Sequence, residues 1–226
     1  MLDSLVSPLS TTIAWSCIGL EVLLLVGLFV HQRVRQSYML VVLVVSWLGS
    51  ALIVAFCPAC LTWRFWLVTE LAHAALAFSV ALELAWRAFR QVPRAWWWAQ
   101  RAVVAAVVLG AVLLIAAPPG PPSVSIVPWV LGALACLYIA LWLTAIVVGL
   151  PQERLHAAIL TGLSPYLIVY AVTWGQVASD TGAVNVINPV MFLLALLALT
   201  RAAWRRETIE PGGHPETVRW LFPWRS

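Results

Sequence analysis

The chain has 226 residues, of which 63% are hydrophobic and 10% are charged, and its mean hydropathy is +0.95. A soluble domain is about half apolar and about a quarter charged, so this composition excludes an ordinary soluble protein. The formal net charge is +4, and all thirteen basic residues are arginine. The composition predicts an integral membrane protein, in which basic residues set the orientation in the bilayer.

The absence of lysine excludes one class of membrane protein. Retinal proteins are seven-helix membrane proteins that hold their chromophore as a Schiff base on a lysine side chain. A covalently bound retinal is therefore excluded, and the sequence leaves open which other cofactor, if any, the protein binds.

Seven apolar runs are predicted to cross the bilayer. A helix needs roughly 20 residues to cross about 30 Å of hydrocarbon. The first run has no basic residue before it and no cleavage site after it, so it is interpreted as a retained span and not as a signal peptide. We expect an all-α transmembrane bundle over residues 1–204, followed by a cytoplasmic tail over 205–226. The predicted spans are 11–31, 38–56, 64–88, 101–117, 126–150, 155–175 and 185–204.

The distribution of arginine predicts the orientation. Cytoplasmic loops carry the excess of basic residues. With the N-terminus outside and seven spans, Arg64 alone lies outside. The other twelve lie inside: Arg33, Arg35, Arg87, Arg90, Arg94, Arg101, Arg154, Arg201, Arg205, Arg206, Arg219 and Arg225. We therefore expect a multi-pass protein of a bacterial cytoplasmic (inner) membrane, with its C-terminus in the cytoplasm.

The run Trp96-Trp97-Trp98 lies beside Arg94 and Arg101. Indole rings favour the headgroup level of a bilayer. The run is predicted to be an interfacial anchor on the inner leaflet, and a docking surface for a partner protein is the alternative.

Three ionisable residues fall inside predicted spans. A charged side chain at mid-membrane costs about 2.5–3.5 kcal/mol on insertion scales, so such residues face the protein interior. Glu21 lies about ten residues into the first span, and Glu70 and His73 lie at similar depth in the third and share a helix face. We expect one buried polar cluster. It is either a ligand or proton site or a set of hydrogen bonds that ties helices together.

The spacing Glu-x-x-His occurs twice, at Glu70–His73 and at Glu153–His156. In di-iron bundles this spacing supplies metal ligands, together with a Glu from each of two further helices. Here the first pair belongs to the outer half of the membrane and the second to the inner surface. Neither a shared metal centre nor a haem with two histidine ligands is expected.

Cys57-Pro58-Ala59-Cys60 lies at the predicted outer mouth, just before the third span. The spacing permits a disulfide, and a following helix N-terminus favours a reactive thiol. Structural, redox and metal-capturing roles stay open. A thiol oxidoreductase would need a second cysteine pair, whereas Cys17 and Cys136 lie in different spans.

Two resemblances to known families follow from short motifs. The third span, from Glu70 through Ala77-Phe78-Ser79-Val80 to Glu83 and Arg87, resembles small seven-span bacterial proteins with no assigned function. Pro151-Gln152 resembles the motif of the PQ-loop transporters, which have seven helices in this orientation. The first span ends in His31-Gln32, which departs from that motif, and the hydroxyl residue that precedes it in the family is missing.

The sequence contains no serine nucleophile motif, phosphate loop or nucleotide fingerprint. We therefore expect a non-enzymatic membrane protein, sensor-like or an accessory subunit, that binds a lipid, pigment or partner protein in the bilayer. Nucleic acid is not an expected partner. The first alternative is a small-molecule or proton-coupled transporter that uses Glu21, Glu70 and His73. The second is a thiol redox protein of the periplasmic face.

Overall fold

The structure is a computed structural model that describes residues 2–57, 59, 62–89, 101, 104, 122–148, 153–174 and 184–205. These residues form an all-helical protein, with no strand among them. A single 3-10 turn, Arg33–Gln36, joins the first two α-helices. The six α-helices are α1 Leu2–Val30, α2 Tyr38–Phe56, α3 Trp63–Phe89, α4 Pro122–Val148, α5 Arg154–Trp174 and α6 Val184–Trp204.

All six helices are long and apolar enough to cross a membrane, with mean hydropathy between 1.6 and 2.6 over the apolar windows. Much of each helix is exposed apolar surface, as expected where lipid is the solvent. These properties indicate a multi-pass membrane protein. The apolar window of α1 begins at Thr11, although the helix itself begins at Leu2. Apart from Arg101 and Val104, the expected fourth span, 101–117, lies outside the described residues, as does the tail beyond Arg205.

The described helices form a ring in chain order. Each helix packs against the next, and α6 closes the ring on α1. Leucine, alanine and other small apolar side chains fill the interior. Tyr138 of α4 is fully buried there, and its hydroxyl donates to the carbonyl oxygen of Ala77 at 2.7 Å. A buried hydroxyl without such a bond would be costly, so this contact fixes α4 against α3.

The connection between α1 and α2 lies at one end of the bundle and makes hydrogen bonds to residues of α3 and α5 and to the residue that follows α6. Arg87 of α3 donates to the carbonyl of Arg35 at 2.6 Å, and His156 of α5 lies 3.2 Å from the carbonyl of Gln36. Arg33 donates to the carbonyl of Arg205, just after α6. We call this side of the bundle the arginine end. It is defined by Arg33, Arg35, Arg87, Arg154, Arg201 and Arg205.

Glu83, a residue of the neighbouring helix α3, caps the N-terminus of α2. Its carboxylate accepts hydrogen bonds from the Ser37 hydroxyl at 3.1 Å and from the amides of Tyr38 and Met39 at 3.1 and 2.9 Å. The first amides of a helix have no partner within the helix, and a negative charge there is favourable. Arg87 pairs with the same carboxylate at 2.7 Å. The carboxylate therefore links the start of α2 to the end of α3.

Candidate ligand-binding cavity

A cavity of about 730 Å³ lies between the helices at the end of the bundle opposite the arginine end. All six described helices contribute to its wall. The lining residues fall in the ranges 11–21 of α1, 47–55 of α2, 66–77 of α3, 166–170 of α5 and 188–192 of α6, and α4 contributes Leu131. Helices α1, α3, α4 and α6 begin at this cavity end, whereas α2 and α5 finish there. Consecutive helices α3 and α4 thus run parallel.

The three ionisable residues singled out in the sequence all line this cavity. They come from different helices, Glu21 from α1 and both Glu70 and His73 from α3. Glu21 is only 1% exposed, and its Oε2 has no hydrogen-bond partner. The three residues therefore lie in one region of the bundle, where the depth argument from the sequence expected them. Whether they bind a ligand or a proton stays a prediction.

The hydrogen-bond partner of Glu70 was not expected from the sequence. The hydroxyl of Tyr170, on α5, donates to Glu70 Oε1 at 2.7 Å. The sequence analysis expected Glu70 to form one buried polar cluster with Glu21 and His73. In the ring, α1 neighbours α2 and α6, so the two carboxyl groups belong to separate parts of the wall. Tyr166 lies within electrostatic reach of both of them.

His73 also lines the cavity, and its Nε2 is buried without a hydrogen-bond partner. The imidazole ring lies beside the backbone of Ser46, in α2. A neutral imidazole carries its proton on either ring nitrogen, so Nε2 can accept or donate a hydrogen bond.

Aromatic side chains form one continuous wall of the cavity. The Trp47 ring meets Phe192 edge-on at 5.0 Å between centroids, and Phe192 meets Tyr166 at 5.2 Å. Tyr166 in turn stacks on Tyr170 at 5.5 Å, and Trp47 contacts the His73 ring at 6.4 Å. Offset and edge-on pairs at these distances are favourable and rigid. The cavity therefore has aromatic rings and two carboxyl groups in its lining.

The cysteines occupy different environments. Cys57, at the end of α2, is disulfide-bonded, and Cys60 lies outside the described residues. Cys17 is a buried free thiol on the cavity wall, one helical turn before Glu21, and Cys136 is an exposed free thiol on α4. The two free thiols do not pair with each other. The redox role of Cys57 and Cys60 stays a prediction.

The second Glu-x-x-His pair lies at the arginine end. There His156 contacts the Gln36 carbonyl, and its Nε2 is 3.6 Å from Glu153 Oε2. His73 is in the cavity, at the opposite end of the bundle. No three His, Cys, Asp or Glu side chains in the described ranges are grouped to hold a metal ion. The proposed anchor Trp96, Trp97 and Trp98, and the Pro151-Gln152 motif, lie outside those ranges.

Sequence reasoning missed the aromatic wall and the contacts of Glu83. Tyr166 and Tyr170 gave a usable signal, because two tyrosines one turn apart inside an apolar span need partners for their hydroxyls. Glu83 and Arg87 gave another, as an i, i+4 ion pair near the end of a span. Trp47 and Phe192 gave none, since apolar residues in a span face lipid or protein with equal ease.

A scan of protein-family models, a search of curated proteins and a search of solved structures each return no significant match to this chain.

Proposed function

We propose that this protein binds a small molecule inside the membrane, without covalent attachment and without chemistry on it, as a sensor-like or accessory membrane protein. The observation that carries the proposal is the cavity whose wall holds Glu21, Glu70 and His73. A void of about 730 Å³ is within the range of roughly 300–1,000 Å³ typical of ligand sites. Its wall is largely apolar and aromatic, with a few polar groups, which is also typical of such sites.

The apolar core below the cavity favours a binding site over an open channel. Towards the arginine end, the interior is filled by fully buried side chains: Leu24, Leu28, Leu40, Leu43, Leu155, Ile159 and Leu199. Below them, the contacts of Glu83, Arg87 and Arg33 join the helix ends. A ligand entering the cavity would therefore stop there. Its arrival would be passed to lipid or to a partner membrane protein through the exposed helix faces.

The cavity can be tested through its native thiol. In a Cys136→Ala background, Cys17 reports access to the cavity by its rate of reaction with N-ethylmaleimide, under non-reducing conditions that keep the Cys57 disulfide. Ala51 lines the cavity, so Ala51→Phe should fill part of it and slow the reaction. Phenethyl alcohol, an aromatic molecule that fits the volume, should slow it in the parent protein.

The matched control is Ala75→Phe, which adds the same ring to an exposed position outside the cavity wall. It should leave the rate unchanged. Equal rates in the Ala51→Phe variant and in the control, with no protection by the alcohol, would refute a ligand-accessible cavity.

We also propose the topology of seven spans with the N-terminus outside, in a bacterial inner membrane. Helix α3 ends at the arginine end and α4 begins at the cavity end, which supports one further crossing between Phe89 and Pro122. Six of the described arginines lie at the arginine end, whereas Arg64 lies in the first turn of α3, at the cavity end. Because cytoplasmic loops carry the excess of basic residues, this distribution supports a cytoplasmic arginine end.

Reporter fusions test this topology. An alkaline phosphatase fused after Ser226 should be inactive, because that enzyme folds only in the periplasm, and a green fluorescent protein at the same position should fluoresce. A fusion after Phe89 should behave like the C-terminal one. An active phosphatase at the C-terminus would contradict the orientation.

A second candidate function is proton-coupled transport, and the prolines favour it. Pro189 lines the cavity within α6, and Pro165 lies inside α5 one residue before Tyr166. Proline removes a backbone hydrogen bond and permits a helix to bend, as a change of access requires. In liposomes, Glu70→Gln should then abolish proton movement driven by substrate while thermal stability is kept. Wild-type vesicles that show no flux of any bound molecule would exclude this function.

A further inference from the structure

The unpaired groups of the cavity indicate the chemical class of its ligand. Three polar groups line it: the carboxyl groups of Glu21 and Glu70 and the imidazole of His73. Glu70 already accepts from Tyr170, whereas Glu21 Oε2 and His73 Nε2 have no partner. Buried polar atoms are nearly always hydrogen-bonded, so these two mark places where a partner is missing, and for the Glu21 carboxylate oxygen that partner is a donor.

The balance of charge points the same way. Among the described residues that line the cavity, two are acidic and none is lysine or arginine. The whole chain has no lysine, and most of the described arginines are at the opposite end of the bundle. A buried carboxylate is stable only when a positive charge or hydrogen-bond donors accompany it. The wall does not supply that charge to Glu21.

The aromatic wall narrows the class further. Trp47, Tyr166, Tyr170 and Phe192 line the same cavity as the two carboxyl groups, and the Tyr170 hydroxyl donates to Glu70. Aromatic faces attract organic cations, and the same rings pack against an apolar body. A bare metal ion is a poor fit, because no three ligating side chains in the described ranges are grouped together.

We propose that the ligand is a protonated organic amine with an apolar or aromatic body. Its ammonium group donates to Glu21 Oε2, and its body lies against the wall of Trp47, Phe192 and Tyr166. A primary ammonium offers a positive charge and hydrogen-bond donors to this carboxylate, whereas a neutral molecule of the same shape would leave the Glu21 charge uncompensated. This inference rests on the proposed function, because it names the occupant of the same cavity.

The test compares two molecules that differ only in the head group, phenethylamine and phenethyl alcohol. The full chain is placed in nanodiscs of phosphatidylcholine, whose lack of net charge avoids electrostatic enrichment of the amine. Thermal unfolding is followed at rising concentrations of each compound, because a ligand that binds the folded state raises the midpoint. We expect the amine to stabilise the wild type at a lower concentration than the alcohol does.

Three variants locate the effect. Glu21→Gln should weaken the amine about ten- to a hundredfold, the change expected for one charge-assisted hydrogen bond, and should leave the alcohol unchanged. Glu153→Gln removes the same charge from an exposed site at the arginine end and should bind the amine like the wild type. Ala51→Phe should weaken both compounds, since it fills part of the cavity.

The outcomes separate the two proposals. Equal stabilisation by amine and alcohol, with no effect of Glu21→Gln, would overturn the amine proposal and keep the cavity as a binding site. No stabilisation by either compound, or stabilisation that persists in Ala51→Phe, would overturn both.

A second measurement leaves Glu21 intact. Cys17 lies on the same wall, so in the Cys136→Ala background its reaction with aminoethyl methanethiosulfonate, a cation, is compared with that of the anionic sulfonatoethyl reagent. Each rate is divided by the rate with a small thiol in solution. The cation should be favoured and phenethylamine should protect, whereas an equal or greater rate for the anion would overturn the proposal.

Discussion

Removal of the Glu83 carboxylate should loosen the arginine end of the bundle. This side chain accepts from Ser37, Tyr38 and Met39 at the start of α2 and pairs with Arg87 at 2.7 Å. Hydrogen bonds to a charged group contribute about 1.5–3 kcal/mol each, but water replaces those to the exposed Tyr38 and Met39 amides in part. The Glu83 and Arg87 side chains are 12% and 24% exposed, so their pairing is only weakly screened. For Glu83→Ala we expect a loss of about 2–4 kcal/mol in the free energy of unfolding.

Two further variants divide this loss. Glu83→Gln keeps an acceptor oxygen without the charge and should lose about half as much. Arg87→Ala should cost less in the Glu83→Ala background than in the wild type, since a double-mutant cycle isolates the paired term. The free energies are measured by unfolding in mixed micelles of increasing dodecyl sulfate. Glu153→Ala is the control, because it removes an exposed carboxylate at the same end. If Glu83→Ala stays within about 0.5 kcal/mol of this control, the carboxylate does not hold α2 to α3.

Two other contacts give predictions of the same kind. A Cβ at Gly27 would lie 2.6 Å from Trp204 Nε1, so Gly27→Ala should displace the indole and cost about 1–3 kcal/mol in the same unfolding assay, whereas Gly19→Ala, with open space around it, should cost nothing. Equal effects of the two alanines would contradict the close packing of α1 on α6. Tyr170→Phe should destabilise by about 1–3 kcal/mol, because it leaves a buried carboxylate oxygen without its donor, and Tyr38→Phe, at an exposed ring, should be neutral. A neutral Tyr170→Phe would mean that the hydroxyl is not needed on the cavity wall.

The helices were predictable because the bilayer dictates their length and polarity. Helix α2 has the expected bounds, 38–56, since Ser37 caps its N-terminus and Cys57 follows its last turn. Pro122 becomes the first residue of α4, a position where its missing amide costs little. The start of α1 at Leu2 was not expected, because polar residues and a proline interrupt the sequence before Thr11, so that segment is not a continuous apolar run.

The candidate site was predictable only in part. The positions of Glu21, Glu70 and His73 along their helices predicted their depth in the membrane. Because a charged side chain in lipid is unfavourable, the three side chains were expected to face the protein interior. Which helices are neighbours depends on packing between distant segments, and depth does not encode that. For this reason Tyr170 was missed as the partner of Glu70, and the contact of Trp47 with Phe192 was missed altogether.

A crystal structure in a lipidic phase with para-bromophenethylamine tests the central claim most directly, because the anomalous signal of bromine locates the molecule without reference to the protein. We predict one bromine peak inside the cavity near the aromatic wall of Trp47 and Phe192. The ammonium nitrogen should lie within about 2.7–3.2 Å of Glu21 Oε2. A cavity filled by a lipid acyl chain, or a bromine peak only on the lipid-facing surface, would contradict the account.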